Sequence, residues 1–345
     1  MALLRWVFSL LLATPAFAAS SLGDAVEEAR QISETVDKLF YTRQFQAIND
    51  LDKELRTVKE RQRLSDGRWS VTFLYDQLDS ASFNNKNYEE WGVKSQLVVN
   101  WDMQTPFNSA PKIASSYIKL GYAWAIRGGG YASQIDPERL RFFNRMVGEA
   151  RSLLESPTFE KEKHPLWFLQ MLTIANLQSW DPQSFGALFN AAVTAYPGYE
   201  FLYFKAADYY LPQWHGSKAQ IRKFVDDAVT RTKATEGMTM YTRIYWYMLS
   251  ELGDKTFDAG NAEWLPMKQG FERLMQDYPN SQWNLNAFAY YACMAKDWNT
   301  FRKLQPGIGD APAMALWKQP SRFYTCIELA KNPALLEVPA NGSIR

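Results

Sequence analysis

Side chains that act as catalytic bases are scarce in this chain. Its 345 residues include only two histidines, His164 and His215, and histidine is the commonest general base near neutral pH. The sequence contains no HExxH zinc motif, no GxSxG nucleophile elbow and no phosphate-binding loop. His215 follows Trp214 in a turn between helical segments, where a structural hydrogen bond or exposure explains it. No catalytic residue is identified, and we keep Trp214 and His215 only as candidates for contact with a partner.

Arg127 precedes three consecutive glycines, Gly128–Gly130. A guanidinium beside glycine amides could bind an acidic ligand. The alternative, which we favour, is the end of a helix, with Arg127 near the last carbonyls and a glycine in the left-handed conformation.

Asn284 and Asn286 lie on a predicted inner helix. Asparagines in such positions of tetratricopeptide-like arrays hold an extended peptide by its backbone; the competing interpretation is a helix cap. The aromatic bands 199–214 and 241–247 could line a groove for sugars or a peptide, although their helical spacing favours core packing.

Cys293 and Cys326 are the only cysteines. An even count in an exported chain favours a disulfide, with two buried free thiols as the alternative. Two cysteines without neighbouring histidines predict no metal site, and nothing in the sequence predicts a cofactor.

The N-terminus has the pattern of a secretory signal peptide. Arg5 precedes the short apolar run 6–12, and Ala16 and Ala18 satisfy the A-x-A cleavage rule. We therefore expect cleavage after Ala18 and a periplasmic or secreted protein. No later stretch has the length and apolarity of a membrane span. With 38 basic and 37 acidic residues, the chain lacks the positive field that nucleic-acid binding requires.

The elements that position these residues are predicted to be helices, because apolar residues recur at three- and four-residue spacing and never alternate for long. We predict an all-α fold, an irregular tetratricopeptide-like array of helix hairpins (an α-solenoid). Its parts are the signal peptide 1–18, N-terminal hairpins 19–130, a helical-repeat region 131–332 and a flexible tail 333–345.

Two helix stops recur in similar surroundings and indicate an internal repeat. Tyr196-Pro197 and Tyr278-Pro279 each end an apolar helical stripe and precede an aromatic-rich helix. Asp136-Pro137 and Gly216-Ser217 predict helix starts.

Several blocks of the chain resemble a bacterial family known as domain of unknown function 4034. The resemblance spans most of the mature chain and implies a helical-repeat fold without an assigned activity. The blocks are Asp66–Trp69, Ala123–Ala132, Tyr209–Ser217, Tyr278–Ser281 and Trp283–Ala289.

The leading functional hypothesis is a protein-binding or scaffolding module of the cell envelope, with another envelope protein or a peptide as partner. The alternative is a carbohydrate-active enzyme on an α/α toroid, with Asp181 and Glu263 as acid and base. Asp181 before Pro182 is also explained as a helix cap.

Overall fold

The computed structural model of the protein describes residues 25–76, 78, 87–130, 132–160, 163–212, 214, 216–248, 257 and 262–332. The predicted signal peptide 1–18 and tail 333–345 lie outside these residues. Within them the chain forms fifteen α-helices and no β-strand, and an isolated bridge joins Arg63 to Trp69. The predicted all-α class is confirmed.

The helices are numbered in chain order. They are α1 (Ala25–Tyr41), α2 (Phe45–Thr57), α3 (Tyr88–Gln104), α4 (Ala110–Arg127), α5 (Pro137–Leu154), α6 (Pro165–Leu177), α7 (Pro182–Ala195), α8 (Glu200–Tyr209), α9 (Lys218–Arg231), α10 (Met238–Tyr247), α11 (Trp264–Asp277), α12 (Gln282–Met294), α13 (Trp298–Ile308), α14 (Met314–Trp317) and α15 (Pro320–Lys331).

The predicted helix boundaries are formed by local side-chain chemistry. Asp136 accepts hydrogen bonds from two backbone N–H groups at the start of α5, and Ser217 accepts one at the start of α9. The two Tyr-Pro stops share a conformation, since Tyr196 has φ −134° and ψ 69° and Tyr278 has φ −133° and ψ 64°. The repeated stop predicted from the sequence is therefore repeated in the backbone.

The helices pack mostly as sequential neighbours, and they alternate in burial. Eleven of the thirteen residues of α6 are buried, against four of the fourteen residues of α7. In the same way α8, α10 and α12 are largely buried, whereas α9 and α11 expose a polar face. A helix whose whole circumference is buried must be surrounded by other parts of the chain. By this criterion α4, α6, α8, α10 and α12 are the inner helices, and α4, α6, α8 and α10 contact each other in series.

The N-terminal segment covers the inner helices. After the hairpin of α1 and α2, residues 58–75, which we name the inserted loop, pack onto them. The hydroxyls of Thr72 in this loop and of Tyr199 before α8 lie 2.7 Å apart, and α1 contacts α12. One hydrophobic core runs from Ala25 to Ala330. The N-terminal segment of the chain therefore covers part of the inner helices.

A disulfide joins Cys293 of α12 to Cys326 of α15, with a Cα–Cα distance of 5.9 Å. The predicted pairing is confirmed, and it is consistent with an oxidising compartment. In the part of the chain that the structure describes, no helix combines the length and the apolarity needed to cross a membrane.

Candidate functional site

Both asparagines predicted to contact a peptide are buried. Asn284 donates from Nδ2 to the backbone carbonyl of Asp66 at 3.2 Å, and Asn286 Oδ1 accepts from Trp317 Nε1 at 3.0 Å. The cap of α12 is Ser281, whose Oγ accepts the backbone N–H of Asn284. Asn284 therefore does hold a backbone carbonyl, but that carbonyl belongs to its own chain.

The tip of the inserted loop is the segment that Asn284 holds. Arg243 of α10 donates from Nη2 to the same Asp66 carbonyl at 2.9 Å. Gly67 has φ +86°, and a Cβ built there would lie 2.4 Å from the Tyr278 ring. Only glycine combines that backbone conformation with so close an approach. The blocks Asp66–Trp69 and Tyr278–Ser281 thus meet in space.

Polar contacts on both sides of this tip fix the inserted loop. Trp69 donates its backbone N–H to Glu200 Oε1 at 2.9 Å and its indole Nε1 to the carbonyl of Gly198 at 2.7 Å. Arg63 donates from Nη2 to Glu236 Oε1 at 3.0 Å. Burial raises the pKa of Glu200, and nearby guanidinium groups act against that rise. The inserted loop therefore occupies the position at Asn284 that the sequence assigns to a partner's peptide.

Arg127 turns back onto the glycines that follow it. Its Nη1 donates to the Gly128 carbonyl at 2.8 Å, its Nη2 donates to the Gly130 carbonyl at 3.0 Å, and the guanidinium lies 4.8 Å from the centre of the Trp124 ring. Gly128 ends α4 with φ +73°. This is the geometry of a helix end and its connecting loop.

The two carboxylates considered as acid and base have other partners. Asp181 caps α7 by accepting the backbone N–H groups of Gln183 and Ser184, each at 3.0 Å. These hydrogen bonds, that from Ser184 first, lower the pKa of Asp181. Glu263 precedes α11 and accepts from Arg222 Nη1 at 2.6 Å. Neither contact places the two carboxylates around a common substrate site.

A cavity of about 180 Å³ lies where the inserted loop meets α8, α10 and α12. Arg68 and Arg243 contribute its cationic groups, and none of the described residues that line it is a carboxylate. We name it the arginine cavity. Its aromatic lining consists of Phe201, Phe204, Trp246, Tyr247 and Trp283.

The two arginines retain hydrogen-bonding capacity. Arg68 Nε donates to Asp66 Oδ2 at 2.5 Å, and its guanidinium lies 5.5 Å from the centre of the Trp283 ring. Arg243 is 4% exposed. Arg68 Nη2 and Arg243 Nε are buried and have no hydrogen-bond partner among the residues that the structure describes. Unpaired buried donors are costly, so a ligand that satisfied them would be favoured.

A second cavity, of about 290 Å³, adjoins the first. Trp124 of α4, Asn176 of α6 and Trp214 line it, and Trp214 is 39% exposed. Tyr247 lines both cavities, so the two share one side chain in their walls. We name the second one the tryptophan cavity and the pair the aromatic groove. His215 lies outside the described residues.

An ion pair in the tryptophan cavity lies beside the shared Tyr247. Lys205 Nζ donates to Asp208 Oδ2 at 3.1 Å, and the Tyr247 hydroxyl donates to the same oxygen at 3.0 Å. Burial raises the pKa of Tyr247 to about 12. Burial alone would lower the pKa of Lys205, but Asp208 and Tyr247 outweigh it and raise that pKa. At neutral pH Lys205 is therefore an ammonium group and Tyr247 a neutral phenol.

Trp214 is predicted from the sequence as a contact residue, whereas Arg68, Arg243 and Trp283 are not. The blocks of the family resemblance contain a usable signal. Arg68 and Trp283 lie in the first and last of the five blocks and line the arginine cavity. Trp124 and Trp214 lie in the second and third blocks and line the tryptophan cavity. Arg243 lies in no block and can be found only from the fold.

Comparison of the chain with models of protein families, with curated proteins and with solved structures finds no match.

Proposed function

We propose that this protein is an exported helical-repeat protein that binds a partner protein of the cell envelope in its aromatic groove. The proposal includes export by cleavage after Ala18 and an irregular tetratricopeptide-like array related to the domain of unknown function 4034 family. The observation that carries it is the pair of largely aromatic cavities that share Tyr247 as a lining residue.

The lining of the groove suits binding of an extended chain. Aromatic rings supply large rigid contact surfaces at low entropic cost, and tryptophan, tyrosine and arginine are the residues that dominate binding energies at interfaces. Lys205 and Asp208 offer a donor and an acceptor for the polar groups of a backbone. Asn284 already binds the inserted loop of its own chain. We therefore assign the partner contact to the groove and not to the asparagines.

The carbohydrate-active alternative receives less support. Glycoside hydrolysis requires two carboxylates flanking one bond. Asp208 is the only carboxylate among the described residues that line the groove, and it is paired with Lys205. Asp181 and Glu263 are engaged with other groups.

Photo-cross-linking from Trp214 tests the proposed function. The mature protein would carry a benzophenone amino acid at position 214 and be irradiated in an envelope extract. We expect one protein adduct, which mass spectrometry identifies, and binding of the purified partner that weakens at least tenfold in Trp214→Ala.

Tyr324 on α15 provides the matched control because it is aromatic, 47% exposed and distant in sequence from the groove. The same cross-linker at position 324, and the variant Tyr324→Ala, should give neither the adduct nor the loss of affinity. Identical adducts from positions 214 and 324, or none from 214, would reject the proposal.

A further inference from the structure

The arginine cavity has features that the proposed function does not by itself explain. Two guanidinium groups lie at a small aromatic cavity, and none of its described lining residues is a carboxylate. Within the described part of the chain, Arg68 Nη2 and Arg243 Nε are buried without a hydrogen-bond partner, although both side chains also donate to Asp66 through other atoms. Planar guanidinium groups bind carboxylates through two parallel hydrogen bonds.

We infer that the arginine cavity binds the C-terminal residue of a polypeptide partner, with the terminal carboxylate at Arg68 and Arg243 and a large apolar side chain against the aromatic walls. This inference rests on the proposed function and specifies which part of the partner is bound. Capture of a terminal carboxylate is an established mode of peptide recognition.

Size favours a single residue as the occupant. Sites for drug-sized molecules measure roughly 300–1,000 Å³, whereas this cavity measures about 180 Å³. Tyr247 also lines the tryptophan cavity, and the preceding residues of the bound chain are assigned to that second cavity.

Wall chemistry favours an amino acid over an acidic sugar. A buried sugar ring carries several hydroxyl groups, each of which needs a hydrogen-bond partner. Apart from Arg68 and Arg243, the described lining is aromatic, and only the Trp246 and Trp283 indoles and the Tyr247 hydroxyl add polar atoms. An apolar side chain needs no such partners, and its carboxylate matches the two cations.

A peptide array provides the test. Octapeptides are attached through their N-termini, end in free carboxylates and are randomised at the last four positions. We expect the bound sequences to end in Leu, Met, Phe or Trp. The best binder is then synthesised as the free acid and as the carboxamide, and we expect the amide to bind the wild-type protein at least tenfold more weakly in fluorescence anisotropy.

Protein variants locate the contact. Arg68→Gln should weaken binding of the acid at least fivefold and leave binding of the amide unchanged. Arg322→Gln is the matched control, because Arg322 is a part-buried arginine that lines a different cavity, beside the disulfide. Thermal melts establish that each variant is folded, and the comparison of acid with amide on the wild-type protein does not depend on either variant.

Equal binding of the acid and the amide, or an array in which no free-acid peptide binds, overturns the inference. A specific cross-link from position 214 together with a silent array would leave the proposed function standing and reject only C-terminal recognition. Loss of both would reject both.

Discussion

Asn284 on α12 donates a hydrogen bond to the backbone carbonyl of Asp66, 218 positions earlier in the chain. Arg243 donates to the same oxygen. A side chain expected to hold a partner's peptide thus anchors the protein's own inserted loop against α10 and α12.

Replacing Asn284 should therefore cost stability. We expect Asn284→Ala to lower the free energy of unfolding by about 2 kcal/mol, because it removes a buried hydrogen-bond donor and leaves a cavity. Urea unfolding followed by circular dichroism measures this change. Asn280→Ala, at an exposed position in the same turn, should stay within about 0.5 kcal/mol of the wild type. Equal stability of all three proteins would contradict the structural role of Asn284.

Gly67 is the second test of the inserted loop. Gly67→Ala places a Cβ 2.4 Å from the Tyr278 ring in a left-handed backbone, and we expect a loss of about 3 kcal/mol from strain and displacement. Gly129→Ala is the control, because a Cβ at that position would have no neighbouring atom within 4 Å. If the ring causes part of the loss, Gly67→Ala should cost less in a Tyr278→Ala background, which a double-mutant cycle measures.

Local features of the sequence determine much of what can be predicted. Asp136, Ser217 and the Tyr-Pro stops act on the backbone within a few residues, so their effects can be read from neighbouring residues. The disulfide follows from an even cysteine count and the pattern of a signal peptide. The helical class follows from apolar spacing that holds along nearly the whole chain.

Long-range packing determines the rest. Helical periodicity places Asn284 on an inner helix but carries no information about a loop that returns from Asp66 to cover that helix. The arginine cavity combines Arg68, Arg243 and Trp283, which come from three distant segments. Spacing also does not show which residues of the aromatic bands are accessible to a ligand. Tyr203 is fully buried in the core, whereas Trp246 lines the groove.

The disulfide should contribute measurably to stability. Cys293 and Cys326 are separated by 33 positions, and in the chain-entropy model closing such a loop stabilises the fold by about 4 kcal/mol. The double variant Cys293→Ala, Cys326→Ala avoids free thiols and should lose about that amount in urea unfolding. Iodoacetamide followed by mass spectrometry is the chemical check. Alkylation of both cysteines in unreduced, denatured protein would show that the bond is absent.

A buried charge network predicts how stability depends on pH. Asp52 and His164 are each 2% exposed, and His164 Nε2 lies 2.9 Å from Asp52 Oδ1. His164 Nδ1 accepts the backbone N–H of Leu166, so Nε2 carries a proton and donates it to Asp52. Arg56 donates to the other carboxylate oxygen at 3.0 Å. Burial alone would raise the pKa of Asp52, but His164 and Arg56 outweigh it and lower that pKa below its ordinary value of 3.8.

Because the folded protein binds this proton less readily than the unfolded chain does, the Asp52 contribution is complete above about pH 4 and is lost as pH falls through the lowered pKa. We expect Asp52→Asn to reduce the free energy of unfolding by about 2 kcal/mol at pH 7 and by clearly less at pH 3. Urea unfolding of both proteins at the two pH values measures the difference. Asp50→Asn, on the exposed side of α2, controls for the loss of a surface carboxylate. A difference between wild type and Asp52→Asn that stayed constant or grew on acidification would contradict the lowered pKa, and with it the assignment of Asp52 as the ionised centre of this network.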